Sequence, residues 1–178
     1  MGSLEENQHS VNGIIWDENH PEIILKAVVD GELLPLSASN DPIIGEELIG
    51  KGYAIRPTSG LIYSPVQGQV TSIAPTRHAL TLTTQSNETL LIHLGIDTIE
   101  LKGKGFDAYV SEGDQVEVGD LLVSMDLKLL ADEDYDDLVC VILLDKPDRQ
   151  LAAHLFEDKQ MCALKSPALK ITKCTDSD

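Results

Sequence analysis

Basic side chains are scarce in this chain. Thirteen Lys and Arg stand against thirty Asp and Glu among 178 residues, a formal net charge of -17. Nucleic acid is therefore a poor partner, because neutralising phosphates takes clustered Lys and Arg. A field of this sign either steers a basic protein partner inward or serves solubility alone. Cysteine is scarce too. Cys140, Cys162 and Cys174 form no metal-type spacing and leave one unpaired, which fits the reduced thiols of a cytoplasmic protein. No apolar run approaches ~20 residues, so no direct membrane insertion is expected. The opening Met1-Gly2-Ser3-Leu4-Glu5-Glu6 is acidic rather than basic, and no secretory signal is read there. Residues 1–20 are polar and are expected to form a flexible acidic arm or linker remnant. A single domain is expected over residues 21–175, long enough to bury ~70% of its unfolded surface.

Helix signals are sparse. Short β-like runs recur between Gly and Pro punctuation at residues 23–29, 52–56, 61–63, 68–73, 79–83, 89–94, 106–110, 120–125, 138–143 and 168–172. That pattern predicts an all-β sandwich or barrel. A short helix is expected over 42–49, with Asp41 as N-cap and Pro42 at N1. Another is expected over 127–133. A weak helical spacing of Leu151, His154 and Leu155 suggests a third over 147–157. Gly31-Glu32-Leu33-Leu34-Pro35 reads as a turn-rich connector.

Two histidines stand fifteen positions apart on either side of a turn signal, Thr84-Gln85-Ser86-Asn87. The flanking segments are rich in Leu, Ile and Thr, which predicts a β-hairpin. Symmetric pairing about Gln85-Ser86 sets His78 opposite His93, Leu80 opposite Leu91, and Thr76 opposite Gly95. Opposed residues share a face with Cβ atoms ~5 Å apart. In that register the hairpin builds a two-imidazole site beside a hydroxyl. A one-residue slip would separate the pair.

The segments Ser64-Pro65-Val66-Gln67-Gly68, Thr76-Arg77-His78-Ala79, His93-Leu94-Gly95-Ile96-Asp97-Thr98-Ile99-Glu100-Leu101-Lys102-Gly103 and Gly105-Phe106 resemble the glucose-type enzyme IIA phosphocarriers. These are cytoplasmic components of the bacterial phosphoenolpyruvate-dependent sugar phosphotransferase system. The resemblance is strongest from about Gly31 to Met125. Asn87 stands where that family usually has Gly, and Asn tolerates the left-handed conformation well. The implied fold is an antiparallel β-sandwich of the barrel-sandwich hybrid type with a few short helices, in agreement with the local reading. The implied activity is that of a phosphotransferase component with a phosphohistidine intermediate. Phosphate comes from the carrier protein HPr and passes to a sugar-specific IIB domain. No cofactor is implied, and regulatory docking onto other proteins occurs in the family.

Taken alone, His93 is an ordinary histidine on an apolar strand. The opposed His78 and the ordered run after His93 favour a phosphate acceptor. A neutral imidazole has one basic nitrogen, with a reference pKa near ~6.5, so it can both attack phosphorus and leave it. The resemblance implies that the Gly95 carbonyl receives the other nitrogen's N–H. His78 would donate to the transferring oxygens, and Thr76 would orient His78. Asp97 belongs to the implied active surface, at its rim. Ile43, Ile44, Leu48 and Ile49 read either as core or, by the resemblance, as an apolar rim that receives the partner with Leu91 and Ile99.

Two other readings compete. Gly119-Asp120-Leu121-Leu122 leading to Lys128 is similar to a biotinyl or lipoyl carrier hairpin, although Leu127 stands where a carrier has its fixed residue. His93-x-x-x-Asp97 matches the first ligand pair of zinc hydrolases with a related β-fold. A catalytic zinc takes three protein ligands, and no His-x-His occurs. No intrinsic metal is therefore expected, and adventitious zinc across His78 and His93 is the remaining metal chemistry.

Overall fold

The computed structural model describes residues 22–147 and 149–174, so the expected arm over 1–20 lies outside the described residues. The strands in chain order are β1 (Glu22–Lys26), β2 (Gly31–Leu34), β3 (Gly50–Pro57), β4 (Leu61–Tyr63), β5 (Gly68–Ile73), β6 (Ala79–Thr83), β7 (Thr89–Ile96), β8 (Phe106–Ala108), β9 (Gln115–Val116), β10 (Leu121–Met125), β11 (Asp136–Leu144), β12 (Leu151–Leu155), β13 (Gln160–Met161) and β14 (Pro167–Lys173). They form an eight-stranded sheet in the order β13-β2-β3-β11-β7-β6-β5-β9 and two three-stranded sheets, β1-β14-β12 and β4-β10-β8. Paired neighbours run antiparallel, and the chain is the all-β sandwich expected of its punctuation.

The large sheet is covered on both faces. Val139, Val141 and Leu143 of β11 face the main core together with Leu90, Ile92 and Leu94 of β7. Leu138, Cys140 and Ile142 face a second, smaller cluster with Leu36, Ile44, Ala54 and Ile96. This two-sided burial explains why β11 reads as a continuous apolar run rather than an alternation. The roof over the second cluster is a short 3-10 turn, Leu36–Ala38, followed by the helix Pro42–Gly45. Asp41 caps that helix as expected, accepting from the Ile43 N–H at 2.9 Å with Pro42 next in line. His93 points to this second face, since its neighbours Ile92 and Leu94 point to the first.

Three expectations need correction. The first is the weak helix over 147–157, which is strand β12, paired with β14 from Leu151 opposite Lys173 to Leu155 opposite Leu169. Its apolar contacts fall on Leu151, Ala153 and Leu155, a period of two that the alanines disguise. The second is the connector 31–35, which holds strand β2, paired with β3 and β13. Gly31 sits at the strand's end, where an added Cβ would lie 2.2 Å from the Arg56 carbonyl oxygen, so the glycine marks close pairing rather than a turn.

The third correction is the hairpin register. Ala79, not His78, lies opposite His93, and Leu80 lies opposite Ile92. The loop is closed by Thr84 N–H to Glu88 O at 2.8 Å and Asn87 N–H to Thr84 O at 2.9 Å. Asn87 adopts φ +63°. That is a three-residue loop ending in a left-handed residue, not a two-residue one. Its centre is Ser86, so every partner shifts by one. Glu88 is buried at the loop and accepts from Arg149 at 2.5 Å and Lys146 at 3.3 Å, which ties the hairpin tip to the chain beyond β11.

Candidate functional site

The slip does not separate the histidines. Their ring centroids lie 5.4 Å apart, edge to face at 81°. His78 precedes β6, and its carbonyl accepts from the Leu94 N–H at 2.7 Å. A regular strand would turn its side chain to the core with Leu80 and Leu82. The preceding Arg77 is left-handed, at φ +58°. It closes a turn with its N–H on the Ala74 carbonyl at 2.7 Å, while the Ala74 N–H reaches the Ala79 carbonyl at 2.9 Å. The pair therefore meets through a kink at the strand's start rather than through ladder pairing.

Each ring is held at Nδ1. His93 Nδ1 lies 2.9 Å from the Gly95 carbonyl. A carbonyl only accepts, so Nδ1 carries the proton and Nε2 keeps its lone pair. His78 Nδ1 lies 2.5 Å from the Thr76 hydroxyl, which fixes that ring's rotation. Burial lowers the His78 pKa, and the neighbouring His93 lowers it further. Burial also lowers the His93 pKa, against the opposing pull of the Gly95 hydrogen bond and the charges of Asp41 and Asp97. Both imidazoles are thus biased toward the neutral form. A neutral ring with one tethered N–H keeps one free lone pair, with which it can act as a nucleophile.

Gly95 makes this tether possible. Its φ is +75°, and a Cβ there would lie 2.4 Å from Thr98 Cγ2 and 2.8 Å from the Asp136 carbonyl oxygen. Thr98 is fully buried and donates its hydroxyl to the Leu94 carbonyl at 2.5 Å. It thereby closes the chain back onto the strand that carries His93. The sequence reading includes Thr98 in the ordered run but gives it no part. The signal for one is a hydroxyl four residues after Leu94, immediately after the left-handed Asp97 at φ +59°.

The profile of the phosphoenolpyruvate-dependent sugar phosphotransferase system EIIA 1 family matches residues 23–148. The chain belongs to that family. It is 37% identical over 129 residues to the "PTS system glucose-specific EIIA component" of Oceanobacillus iheyensis, covering 72% of this chain and 78% of that protein. It is 30% identical over 155 residues to the protein of the same name from Staphylococcus aureus strain Mu50, covering 87% and 93%. Among solved structures it is similar to the glucose permease IIA of Mycoplasma capricolum, with a TM-score of 0.75 at 28% identity over 88% of this chain and 99% of that one. As an EIIA family member it is a phosphotransferase component, a phosphocarrier for sugar uptake. The carrier-lysine and zinc-hydrolase readings find no support in these relationships. Lys128 lies on the helix Leu127–Asp132, in an ion pair with Asp132 at 2.7 Å. Among the described residues no helix is long and apolar enough to cross a membrane.

The residues expected to form an apolar rim divide by exposure. Ile43, Leu48 and Ile99 are 51%, 62% and 58% exposed. Ile49 and Leu91 are half-buried against the second cluster. Ile44 is a correction: at 3% exposure it belongs to that cluster and is no part of the open surface. In a single helical turn, adjacent residues diverge by ~100°, so Ile43 faces out where Ile44 faces in. Asp97, expected at that rim, is exposed.

Proposed function

We propose that His93 accepts a phosphoryl group from phospho-HPr on Nε2 and passes it to a sugar-specific IIB domain, with residues 21–175 acting as one cytoplasmic phosphocarrier unit. The observation that carries this reading is the Nδ1–H of His93 on the Gly95 carbonyl, which leaves Nε2 as the nucleophile. On acceptance the donor's bond to phosphorus breaks as the P–N bond to His93 Nε2 forms. On onward transfer that P–N bond breaks as the acceptor's bond forms. The proton stays on Nδ1, hydrogen-bonded to the Gly95 carbonyl. The chemistry needs positioning more than proton transfer. His78, held by Thr76, donates to the phosphoryl oxygens as charge spreads over them. Ile43, Leu48 and Ile99 form the surface that a partner covers, which excludes water from the phosphohistidine. The names of the relatives make glucose the first sugar to test.

Incubation with phosphoenolpyruvate, enzyme I and HPr should add one phosphate that is labile in acid and stable in base. Peptide mapping should place it on His93, and His93→Ala should abolish it. Phosphate on Ser, Thr or Cys, or persistence in His93→Ala, would overturn the assignment. His78→Gln should still be phosphorylated but transfer onward about 10²-fold more slowly.

A further inference from the structure

Arg77 is half-buried and left-handed, a backbone conformation that L side chains rarely adopt. Its guanidinium spans away from the hairpin. Nε donates to the Phe106 carbonyl at 2.9 Å, and Nη2 donates to the Gly103 carbonyl at 3.1 Å. Gly103 belongs to the loop that follows the 3-10 turn Thr98–Leu101, and Phe106 opens strand β8 where that loop ends. The loop is shaped around the guanidinium. Gly103 sits at φ +91°, and a Cβ there would lie 2.9 Å from Arg77 Nη2. A planar fork placed on two backbone carbonyls is a geometry that arginine provides and lysine does not.

The consequence falls on the next residue. His78 keeps its backbone paired with Leu94, yet its ring lies against His93. Ladder alternation alone would send it to the core. The departure begins at the Arg77 kink, and the fork ties that kink to a segment outside the hairpin. We propose that Arg77 is a positioning residue: clamped on the carbonyls of Gly103 and Phe106, it holds the left-handed turn that aims His78 at His93. Phosphoryl transfer then depends on Arg77 through His78 alone, and this part rests on the function proposed above. The clamp also joins the two segments that flank the site, the hairpin with both histidines and the loop after Thr98. Arg77 contacts neither imidazole ring by a hydrogen bond of its own; its bonds go to backbone.

The test is Arg77→Ala, with Arg77→Lys as the conservative variant. NMR titration follows the His78 and His93 imidazoles in the unphosphorylated protein. Single-turnover kinetics follow transfer from phospho-HPr and onward to IIB. A folded Arg77→Ala should show His78 titrating closer to the ordinary histidine value and a weakened ring-to-ring contact with His93. Onward transfer should slow about 10-fold, with HPr affinity unchanged. Arg77→Lys, able to reach one carbonyl, should recover part of both effects. Unchanged His78 titration in folded Arg77→Ala would overturn the proposal. Should that variant fail to fold, Arg77→Gln, too short to span both carbonyls, replaces it with the same readout, and unchanged His78 titration there overturns the proposal equally. A shifted titration with unaltered transfer would uphold the clamp and overturn the role of His78 in transfer. Phosphorylation surviving in His93→Ala would overturn the proposed function, whatever the titration shows.

Discussion

Cys140 lies directly across the β11–β7 ladder from His93, on the same face of the sheet. Ala54 is next in the row on β3, and Ala79 is opposite His93 on β6. The imidazole is thus flanked in the ladder by small side chains. The Cys140 thiol is buried, and burial together with Asp136 and Asp41 pushes its pKa up to about 12.

This makes a thiol census diagnostic. Cys162 and Cys174 are exposed. A thiol reagent at pH 8 should label those two quickly in the native protein, and Cys140 only at the rate of unfolding, because the reactive species is the thiolate. Mass spectrometry of the labelled peptides checks it. Rapid labelling of Cys140 would mean that the floor beside His93 is open to solvent.

The lowered histidine pKa values set a direction for stability against pH. The folded values of His78 and His93 lie below the reference of 6.5. Between the folded and unfolded values, the unfolded chain binds more protons, so stability rises with pH across that window. The contribution is full above about 6.5 and is lost as pH falls through the folded values. Denaturant unfolding of wild type and His93→Gln from pH 5 to pH 8 should show the mutant losing less stability on the acid side. Phosphate acceptance should hold its rate down to lower pH than a free imidazole would. Parallel stability curves for the two proteins would remove this linkage.

Much of the fold is legible in the sequence because its strands are punctuated. Strands β4, β5 and β6 fall on residues 61–63, 68–73 and 79–83 as read. What fails is what depends on distant pairing. Leu151-Ala152-Ala153-His154-Leu155 has good helix formers, and only the β14 edge makes it a strand. The site is legible too, although its geometry is not the one that symmetric pairing implies. His78 and His93 do meet, yet by a kink at Arg77, which is not the ladder pairing that symmetry about Gln85-Ser86 implies. The left-handed tolerance of Asn87 is visible in the sequence. Its effect of lengthening the loop by one residue is set by the backbone bonds that close it. Ile44 shows the same limit: exposure within a one-turn helix depends on its roll over the sheet, and neighbouring isoleucines carry no mark of it.

Gly95→Ala should cost about 2–4 kcal/mol, from the left-handed backbone and the contacts that a methyl would force. The nearer clash is with Thr98 Cγ2, at 2.4 Å. Thr98→Ser removes that methyl and keeps the hydroxyl on Leu94. The double mutant should therefore be less destabilised than the sum of the two single changes. Thermal melts of the four proteins measure the coupling. Strict additivity would mean that the Asp136 carbonyl, at 2.8 Å, sets the cost.

The division of the apolar rim gives the sharpest test of docking. Ile43 and Leu48 are more than half exposed on the roof of the second cluster, while Ile44 lies beneath them in its core. On the proposed docking surface, a partner that brings phosphate to His93 covers the first two residues and does not reach the third. Ile43→Asp and Leu48→Asp should therefore leave the fold intact and weaken HPr binding about 10-fold or more, chiefly through faster dissociation, because a carboxylate is desolvated there without a counter-ion. Ile44→Asp should instead unfold or strongly destabilise the protein, since it buries the same charge within the chain. Salt should act separately. A chain of net charge -17 attracts a basic partner from a distance, so added salt should slow association in wild type and rim mutants alike. Binding kinetics across a salt series, with circular dichroism as the folding control, resolve these effects. A folded Ile43→Asp, Leu48→Asp double mutant that binds HPr like wild type would place the docking surface elsewhere.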